Sequence, residues 1–428
     1  MKNAMTTFKR REFLKWAAAG TGVAAMGGCA TAGSGSAGRV VVIGGGYGGA
    51  TAARFIKLWA PDIDVALIEM NDYFVSCPIS NLVLGGNAQM NQITFSYDGL
   101  RKRGIRVIRD EAMGIDPVKK VVSLASGGSV SFDRVIVSPG VDFLYDQIPG
   151  LNTREAQMRF FHAWKAGPQT VALRKQLEAM RDGGVYAIQI PMAPYRCPPG
   201  PYERVCQVAD YFKKAKPKSK ILVLDANPDL VSKKGLFLAA WDGLYKGMIE
   251  YRPNSEIADV DTKGMTIKLQ FDDVKADVIN VVPAQRAGDV ALRSGLITAN
   301  NRWCGVDWTT CESLAVKGVH VLGDATLSGP AMPKSGSMAN QHAKVCAAAV
   351  IEMIKGGPVN TDTMMMNTCY SFVSGDSAMH VASVHRYDPA QKTIAPVKGS
   401  GGVSTAASQA EGLYAWGWAR NIWAEALT

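Results

Sequence analysis

The residues with the greatest chemical capacity in this 428-residue chain are its eight cysteines, at positions 29, 77, 197, 206, 304, 311, 346 and 369. Thiols act as nucleophiles, redox pairs or metal ligands, and spacing separates these uses. No CxxC pair, zinc-ligand spacing or CxxCH haem-attachment site occurs. Metal: none is therefore the expectation, and any haem must sit on a partner. His162, His320, His342, His380 and His385 show no ligand spacing either, which leaves them packing or surface roles. Redox and nucleophilic chemistry remain open to the thiols, beside plain core packing.

The elements that position such chemistry begin at Val40-Val41-Val42-Ile43, a buried parallel-strand run. Gly44-Gly45-Gly46-Tyr47-Gly48-Gly49 follows at once, and a helical stretch runs from Ala50 to Trp59. Gly44 allows the tight turn, Gly46 lets the backbone approach a pyrophosphate, and Gly49 permits close helix packing, while the helix N-terminus offers amides to phosphate. A second strand, Val65 to Ile68, ends at Glu69, 20 residues beyond Gly49, where a carboxylate accepts from an adenosine ribose. Val135 to Gly140 and Gly318 to Ala325 supply further strand-and-turn units. The second of these resembles the flavin motif of two-dinucleotide-domain flavoproteins, in which the acid, here Asp324, holds the ribityl chain. FAD is the expected cofactor.

A second dinucleotide domain should carry its own glycine turn after the strand at Gly184 to Ile190. Instead the chain reads Pro191-Met192-Ala193-Pro194-Tyr195-Arg196-Cys197-Pro198-Pro199-Gly200-Pro201, and prolines have no amide hydrogen to give a pyrophosphate. Helix Tyr202 to Lys213 and strand Ile221 to Leu224, ending at Asp225, continue the Rossmann pattern. The expected fold is α/β: two interleaved Rossmann-like dinucleotide domains, glutathione reductase-like, plus a C-terminal α+β interface domain. The expected segments are 1–37 (signal and linker), 38–152 with 289–356 (FAD-binding), 153–288 (Rossmann-like without an NAD motif) and 357–428.

Without nicotinamide, electrons need another source, and the cysteines are the candidates. Cys197 lies on the loop after the first strand of the second domain, where a ligand would face the isoalloxazine. Cys369 sits in Met366-Asn367-Thr368-Cys369-Tyr370-Ser371, in a region expected to pack back onto the flavin. Spacing does not pair them, and on spacing alone a structural disulfide or two unrelated buried thiols is the favoured reading. Cys77, soon after Glu69, is placed to reach the flavin benzenoid edge, with a core cysteine as the alternative. Cys206 and Cys346 read as core thiols, and pairing of Cys304 with Cys311 stays open.

At this point the chain resembles the flavoprotein subunit of flavocytochrome c sulfide dehydrogenase, over essentially all of 38–427. The carrying residues are the glycine motif through Ala53, His162-Ala163-Trp164-Lys165-Ala166-Gly167, Arg196-Cys197-Pro198-Pro199-Gly200-Pro201-Tyr202-Glu203-Arg204, Pro283 with Gln285-Arg286-Ala287-Gly288, Met332-Pro333-Lys334-Ser335-Gly336, and Asn367-Thr368-Cys369-Tyr370. The resemblance implies a covalent flavin on Cys77 and a redox-active disulfide between Cys197 and Cys369. It also implies oxidation of hydrosulfide to elemental sulfur or polysulfide, with electrons passing to a c-type cytochrome subunit that carries the haem. Pro78 after Cys77, and Thr326 after Gly-Asp-Ala, depart from the family pattern. Arg196 is read either as an aid to the thiol chemistry or as a surface ion-pair residue. The helix after Met332 to Gly336, together with Lys334, is expected to stabilise negative charge at the flavin N1/O2 edge. Two alternatives accompany this reading. One is a sulfide:quinone oxidoreductase, for which the aromatic tail Leu413 to Trp423 would face a membrane. The other is an exported flavin-binding assembly factor whose cysteines are only structural.

The N-terminus reads as an address. Lys9-Arg10-Arg11-Glu12-Phe13-Leu14-Lys15, followed by a short apolar stretch, resembles a twin-arginine signal, so a folded, cofactor-loaded protein in the periplasm is expected. Met26-Gly27-Gly28-Cys29 loosely resembles a lipoprotein box. Five Lys/Arg and one Glu fall within 1–29, so four of the net ten positive charges lie there. The remainder is mildly basic, without the basic and aromatic runs of a nucleic-acid groove. No apolar stretch approaches the roughly 20 residues of a spanning helix, and 47% hydrophobic with 20% charged residues is a globular balance.

Overall fold

In the computed structural model of the chain, residues 36–428 are described; the twin-arginine and lipoprotein-box residues, Cys29 included, lie outside them. The first β-branched run becomes the strand Gly38–Ile43, whose last four residues are at most 5% exposed. Such near-continuous burial is what a strand covered on both faces requires. It is the centre of a five-stranded parallel sheet in the order Val319–Val321, Arg134–Val137, Gly38–Ile43, Ile63–Glu69, Arg106–Arg109. The chain leaves the central strand to one side and returns on the other, which puts the glycine turn at the topological switch point. Helices Tyr47–Trp59 and Gly336–Lys355 pack against each other beside this sheet.

A second parallel sheet has the order Ile249–Arg252, Lys220–Asp225, Val185–Ile190, Val278–Val281. Val185–Ile190 is again central, so the loop that carries Cys197 occupies the second switch point. The following helix is Gly200–Ala215, beginning two residues earlier than expected, because a proline in the first turn lacks only an amide that had no helical partner. The chain crosses between the sheets at an antiparallel pair, Val141–Phe143 with Gln285–Ala287. Beyond the crossing, Ile148 and Leu151 are buried in one cluster with Leu222, Val260 and Ile279.

The C-terminal region is antiparallel. Met364–Phe372 pairs with Ala378–Asp388, which also pairs with Thr393–Pro396 and Gly402–Val403, and helix Gln409–Leu427 closes the chain. Ala415, Ala419, Ile422 and Trp423 of that helix join the core formed by the first helix and the first sheet. Among the described residues no helix is long and apolar enough to cross a membrane.

Two buried histidines hold this frame only when neutral. The Nδ1 of His162 accepts the Trp164 amide at 2.7 Å, and the Nδ1 of His342 accepts the Gly323 amide at 3.1 Å. Burial, reinforced by nearby cations, pushes both imidazoles down to about 3. The unfolded chain therefore binds more protons below its ordinary histidine value near 6.5, and stability falls as pH drops from there toward 4, by about 1.4 kcal/mol per pH unit for each residue. Urea unfolding at pH 7.0 and 5.5 should show this loss, and a His162→Gln/His342→Gln double variant should flatten it.

Candidate active site

A cavity of about 930 Å³, within the range of cofactor sites, runs from the glycine turn to the start of helix Gly336–Lys355 and out to Cys369. At one end Gly44, at φ +91°, lies so near Ser138 that a Cβ would meet the Ser138 carbonyl at 2.3 Å. A Cβ on Gly49 would meet the Gly44 carbonyl at 1.8 Å, whereas Gly46 has nothing within 4 Å and leaves the backbone open to a ligand. The Glu69 carboxylate accepts the Gly45 amide at 2.6 Å and both nitrogens of Asn71, which aims it at this end of the cavity. Tyr47 lines the wall, its hydroxyl shared between Ser76 at 2.6 Å and the Trp423 indole N–H at 3.0 Å.

Asp324 lines the middle. Its Oδ1 is buried without a hydrogen-bond partner, and burial raises the carboxyl above its ordinary value. An orphaned buried acceptor at this point is what a ribityl hydroxyl would satisfy. The open Gly46 backbone, the aimed Glu69 and the unpartnered Asp324 together fit FAD.

Lys334 is a correction to the expectation. Its ammonium does not line the cavity; it sits 3.7 Å over the Trp303 ring and donates to the Asp324 carbonyl at 3.1 Å and to the Thr326 carbonyl. These carbonyls and the ring hold it behind Asp324, and burial pushes it down to about 7. Beside it, Ser335 caps the helix by accepting the Met338 amide, and Gly336 and Ser337 reach the cavity wall. The Lys334 backbone matters more, because its carbonyl accepts the Cys197 amide at 2.8 Å.

Cys77, Cys197 and Cys369 all line the cavity, and all three are free thiols in the structure. Cys77 Sγ accepts from Arg196 Nη2 at 3.3 Å and from the Ala166 amide at 3.5 Å. Arg196 also donates to the Trp164 carbonyl, so it points inward and is no surface ion pair. Burial acts to lower its pKa, but the charges of Cys77, Asp324 and Cys197 prevail and leave it raised. Cys197 takes a left-handed backbone, φ +59°, uncommon for a side chain of any size. A Cβ at Gly200 would meet the Cys197 sulfur at 2.9 Å, so the glycine gives it room. Burial raises the Cys197 thiol, as do the neighbouring Cys369 and Glu203. Cys369 is fastened through its strand, since Ser335 donates to Asn367 and Ser337 accepts the Thr368 amide.

Several residues had no signal in the sequence. Arg204, 2% exposed, donates to the His162 and Ala163 carbonyls, to Asn280 and to Asn81, and its guanidinium lies 4.8 Å from the Trp164 ring. Glu203, in the cavity wall, accepts from Asn81 at 2.8 Å and from the Phe372 amide at 2.9 Å, with its carboxyl raised by burial. In the sequence Glu203 and Arg204 appear only within the Arg196–Arg204 segment that carries the family resemblance, with no role of their own. Lys233 reaches Cys369 from behind. Cys311 lies against Cys346 in the core, within hydrogen-bond reach, rather than against Cys304, which sits beside Lys334.

The nicotinamide position is occupied by protein. Asp225, where a ribose acid would stand, accepts from Tyr202 at 2.8 Å, Tyr251 at 3.1 Å, and the Asn227 amide and side chain. Its lone pairs are committed, and the preceding loop is proline-rich. Among the described residues no group of three or more His, Cys, Asp or Glu is arranged to hold a metal ion.

Two interleaved parallel sheets with one phosphate turn and one flavin acid define a flavoprotein of the pyridine nucleotide-disulphide oxidoreductase class, and that family model matches residues 38–176. The models "Sulfide dehydrogenase [flavocytochrome c] flavoprotein chain, central" and "Flavocytochrome c sulphide dehydrogenase, flavin-binding" match residues 170–283 and 361–427. The chain belongs to the family of flavocytochrome c sulfide dehydrogenase flavoprotein chains. It is 51% identical over 45 residues, 10% of this chain and 94% of that sequence, to the sulfide dehydrogenase flavoprotein chain of Chlorobaculum thiosulfatiphilum. It is 25% identical over 308 residues, 67% of this chain and 65% of the relative, to the mitochondrial sulfide:quinone oxidoreductase of Mus musculus. Its fold matches the structure of the sulfide:quinone oxidoreductase of Aquifex aeolicus with a TM-score of 0.71 at 18% identity, over 91% of each chain.

Two outcomes follow from this geometry. NADH or NADPH titrated anaerobically into the flavin-loaded protein should neither bind measurably nor bleach the flavin. In a Cys77→Ser background, Asp324→Ala should weaken FAD retention in equilibrium dialysis by roughly 10- to 100-fold, the range for a lost hydrogen bond to a charged group.

Proposed function

We propose that the chain is the flavoprotein subunit of a sulfide dehydrogenase, which oxidises hydrosulfide at a Cys197–Cys369 disulfide and delivers the electrons to a c-type cytochrome subunit. The observation that carries this reading is the convergence of Cys197 and Cys369, from two distant segments, in the cavity that also holds the glycine turn and Asp324. In the oxidised protein the two sulfurs are joined. Hydrosulfide attacks one sulfur, forms a persulfide there and expels the other as a thiolate, so the bond broken and the bond formed balance without an added reactant. Arg196, turned inward against Cys77, draws the anion into a buried, otherwise poorly solvated cavity. FAD, when bound, would supply the two-electron acceptor for the thiol pair and the route by which electrons pass singly to the haem of the proposed partner. Glu203 stands in the cavity wall near Cys197, with its carboxyl raised by burial. A second hydrosulfide takes the outer sulfur from the persulfide as polysulfide, from which elemental sulfur forms, and leaves the cysteine a thiolate; the two thiolates rejoin as a disulfide when they lose two electrons to the acceptor.

Cys77 is proposed as the covalent anchor of the flavin. Its sulfur is held at the cavity wall by Arg196 and the Ala166 amide, which presents it to the ligand rather than to the core. Such a tether suits a protein exported folded by the twin-arginine route to the periplasm, where lost FAD is not replaced.

Delivery to quinone is the second reading, favoured by the similarity to sulfide:quinone oxidoreductases and by the exposure of Leu413 and Tyr414 on the last helix. Anaerobic stopped-flow absorbance with sulfide separates the readings. Wild type should bleach rapidly, and Cys197→Ser and Cys369→Ser should each remove that rapid phase. Horse cytochrome c should be reduced in turnover and decylubiquinone should not; the reverse preference would establish the quinone reading. Acid precipitation should leave flavin in the wild-type pellet and release it from Cys77→Ser.

A further inference from the structure

Behind the two thiols lies a cation that the reaction above does not use. Lys233 is 8% exposed, at the head of helix Lys234–Leu244, with its backbone in the left-handed region at φ +52°. Its ammonium donates to the Cys369 carbonyl at 3.0 Å, to Ser371 Oγ at 2.8 Å and to the Met379 carbonyl at 3.4 Å. All three acceptors are uncharged, so no direct hydrogen bond neutralises this buried charge. The ionisable groups that face it are Cys369 on its strand, Cys197 on the proline loop, Glu203 on helix Gly200–Ala215 and Glu411 on the last helix. A buried ammonium is costly unless a negative charge forms beside it, and the thiols are where one forms.

We propose that Lys233 is a positioning residue that makes Cys369, rather than Cys197, the cysteine that carries the negative charge when the pair opens. The inference rests on the disulfide reading above and specifies its direction. Lys233 grips the Cys369 residue itself and its strand neighbour Ser371, whereas the Cys197 amide is held by the uncharged Lys334 carbonyl. Burial raises both thiols; for Cys369 the strongest opposing influence is Lys233, and its Sγ donates to Asn367 Oδ1 at 3.4 Å. For Cys197, Cys369 and Glu203 add to the rise and outweigh the opposing charges of Arg196 and Lys233, whereas for Cys369 Lys233 comes ahead of Glu203. With both cysteines as free thiols, burial pushes Lys233 down to about 8, and Cys369, Glu203 and Cys197 act to raise it, which ties its charge to theirs. Hydrosulfide then attacks Cys197 Sγ, the S–S bond breaks, and its electron pair leaves on Cys369 Sγ. The incoming sulfur keeps its proton on the Cys197 persulfide. The better leaving group is the thiol of lower pKa, which is the physical basis of the order.

The test is anaerobic alkylation of the dithionite-reduced holoprotein with iodoacetamide from pH 6 to 10, with each cysteine followed by peptide mass spectrometry. In wild type, Cys369 should alkylate at lower pH than Cys197. Lys233→Gln, which keeps hydrogen-bonding capacity and removes the charge, should move the Cys369 edge upward by about one pH unit, a roughly tenfold slower rate below the edge, in line with the effect of a nearby charge. Ser371→Ala, which removes one hydrogen bond and leaves the charge, should not move it. Earlier alkylation of Cys197 in wild type overturns the proposal even where Lys233→Gln does not fold, and so does an unmoved edge in a folded Lys233→Gln protein. Non-reducing peptide mapping of untreated wild type keeps the two failures apart. Absence of a Cys197–Cys369 disulfide there removes the functional reading itself, and its presence with an unmoved edge removes only the role of Lys233.

Discussion

One backbone hydrogen bond decides whether the cavity exists as a site: the Cys197 amide on the Lys334 carbonyl. Cys197 belongs to the second sheet, and Lys334 stands two residues before a helix packed on the first. The bond therefore sets how closely the two switch points face each other. From the same corner Ser335 and Ser337 reach Asn367 and Thr368, which places Cys369 opposite Cys197. Three parts of the chain, the two parallel-sheet units and the C-terminal antiparallel region, meet at residues 334–337.

The convergence is stabilised from behind by buried polar groups as well as by the apolar cluster that Cys197 packs against. Arg204 closes over the carbonyls of His162 and Ala163 with Asn280 and Asn81 as its other partners, and Asn81 in turn holds Glu203. Each member satisfies another, which is the condition under which a buried network rigidifies instead of destabilising. The segment so fixed, His162 to Ala166, presents the Trp164 carbonyl to Arg196 and the Ala166 amide to Cys77. The position of the Cys77 sulfur is thus set by a chain of contacts that begins on a helix of the other sheet.

What the sequence disclosed follows from the range of the interactions concerned. The glycine turn and Glu69 are local, strand, turn and acid succeeding one another within one βαβ unit, and Asp324 follows directly on its own strand, so these positions are written in periodicity and spacing. Gly49 in particular is demanded by the Gly44 carbonyl five residues away. The direction of Lys334 was not legible, because Trp303 and Thr326, which capture its ammonium, arrive from another stretch of chain. Arg204 and Lys233 look like ordinary surface residues in a helical or loop context, and only tertiary burial turns them into fixed internal charges. The neighbour of Cys311 was hidden for the same reason, since Cys346 reaches it from a separate helix.

The second switch point shows how a fold changes its chemistry at small structural cost. The Rossmann frame of the second sheet is complete, with central strand, helix and following acid in their usual places. Yet prolines stand where amides would bind a pyrophosphate, and the acid that would bind a ribose is closed by Tyr202, Tyr251 and Asn227. The same loop that removed those donors brings Arg196 and Cys197 to the cavity, and its left-handed turn at Cys197 aims the sulfur inward. A position that in a dinucleotide domain delivers a bound cofactor here delivers a side chain. Because the loop lies at the strand ends, the second parallel sheet keeps its register on both sides of Val185–Ile190 while the loop carries these side chains.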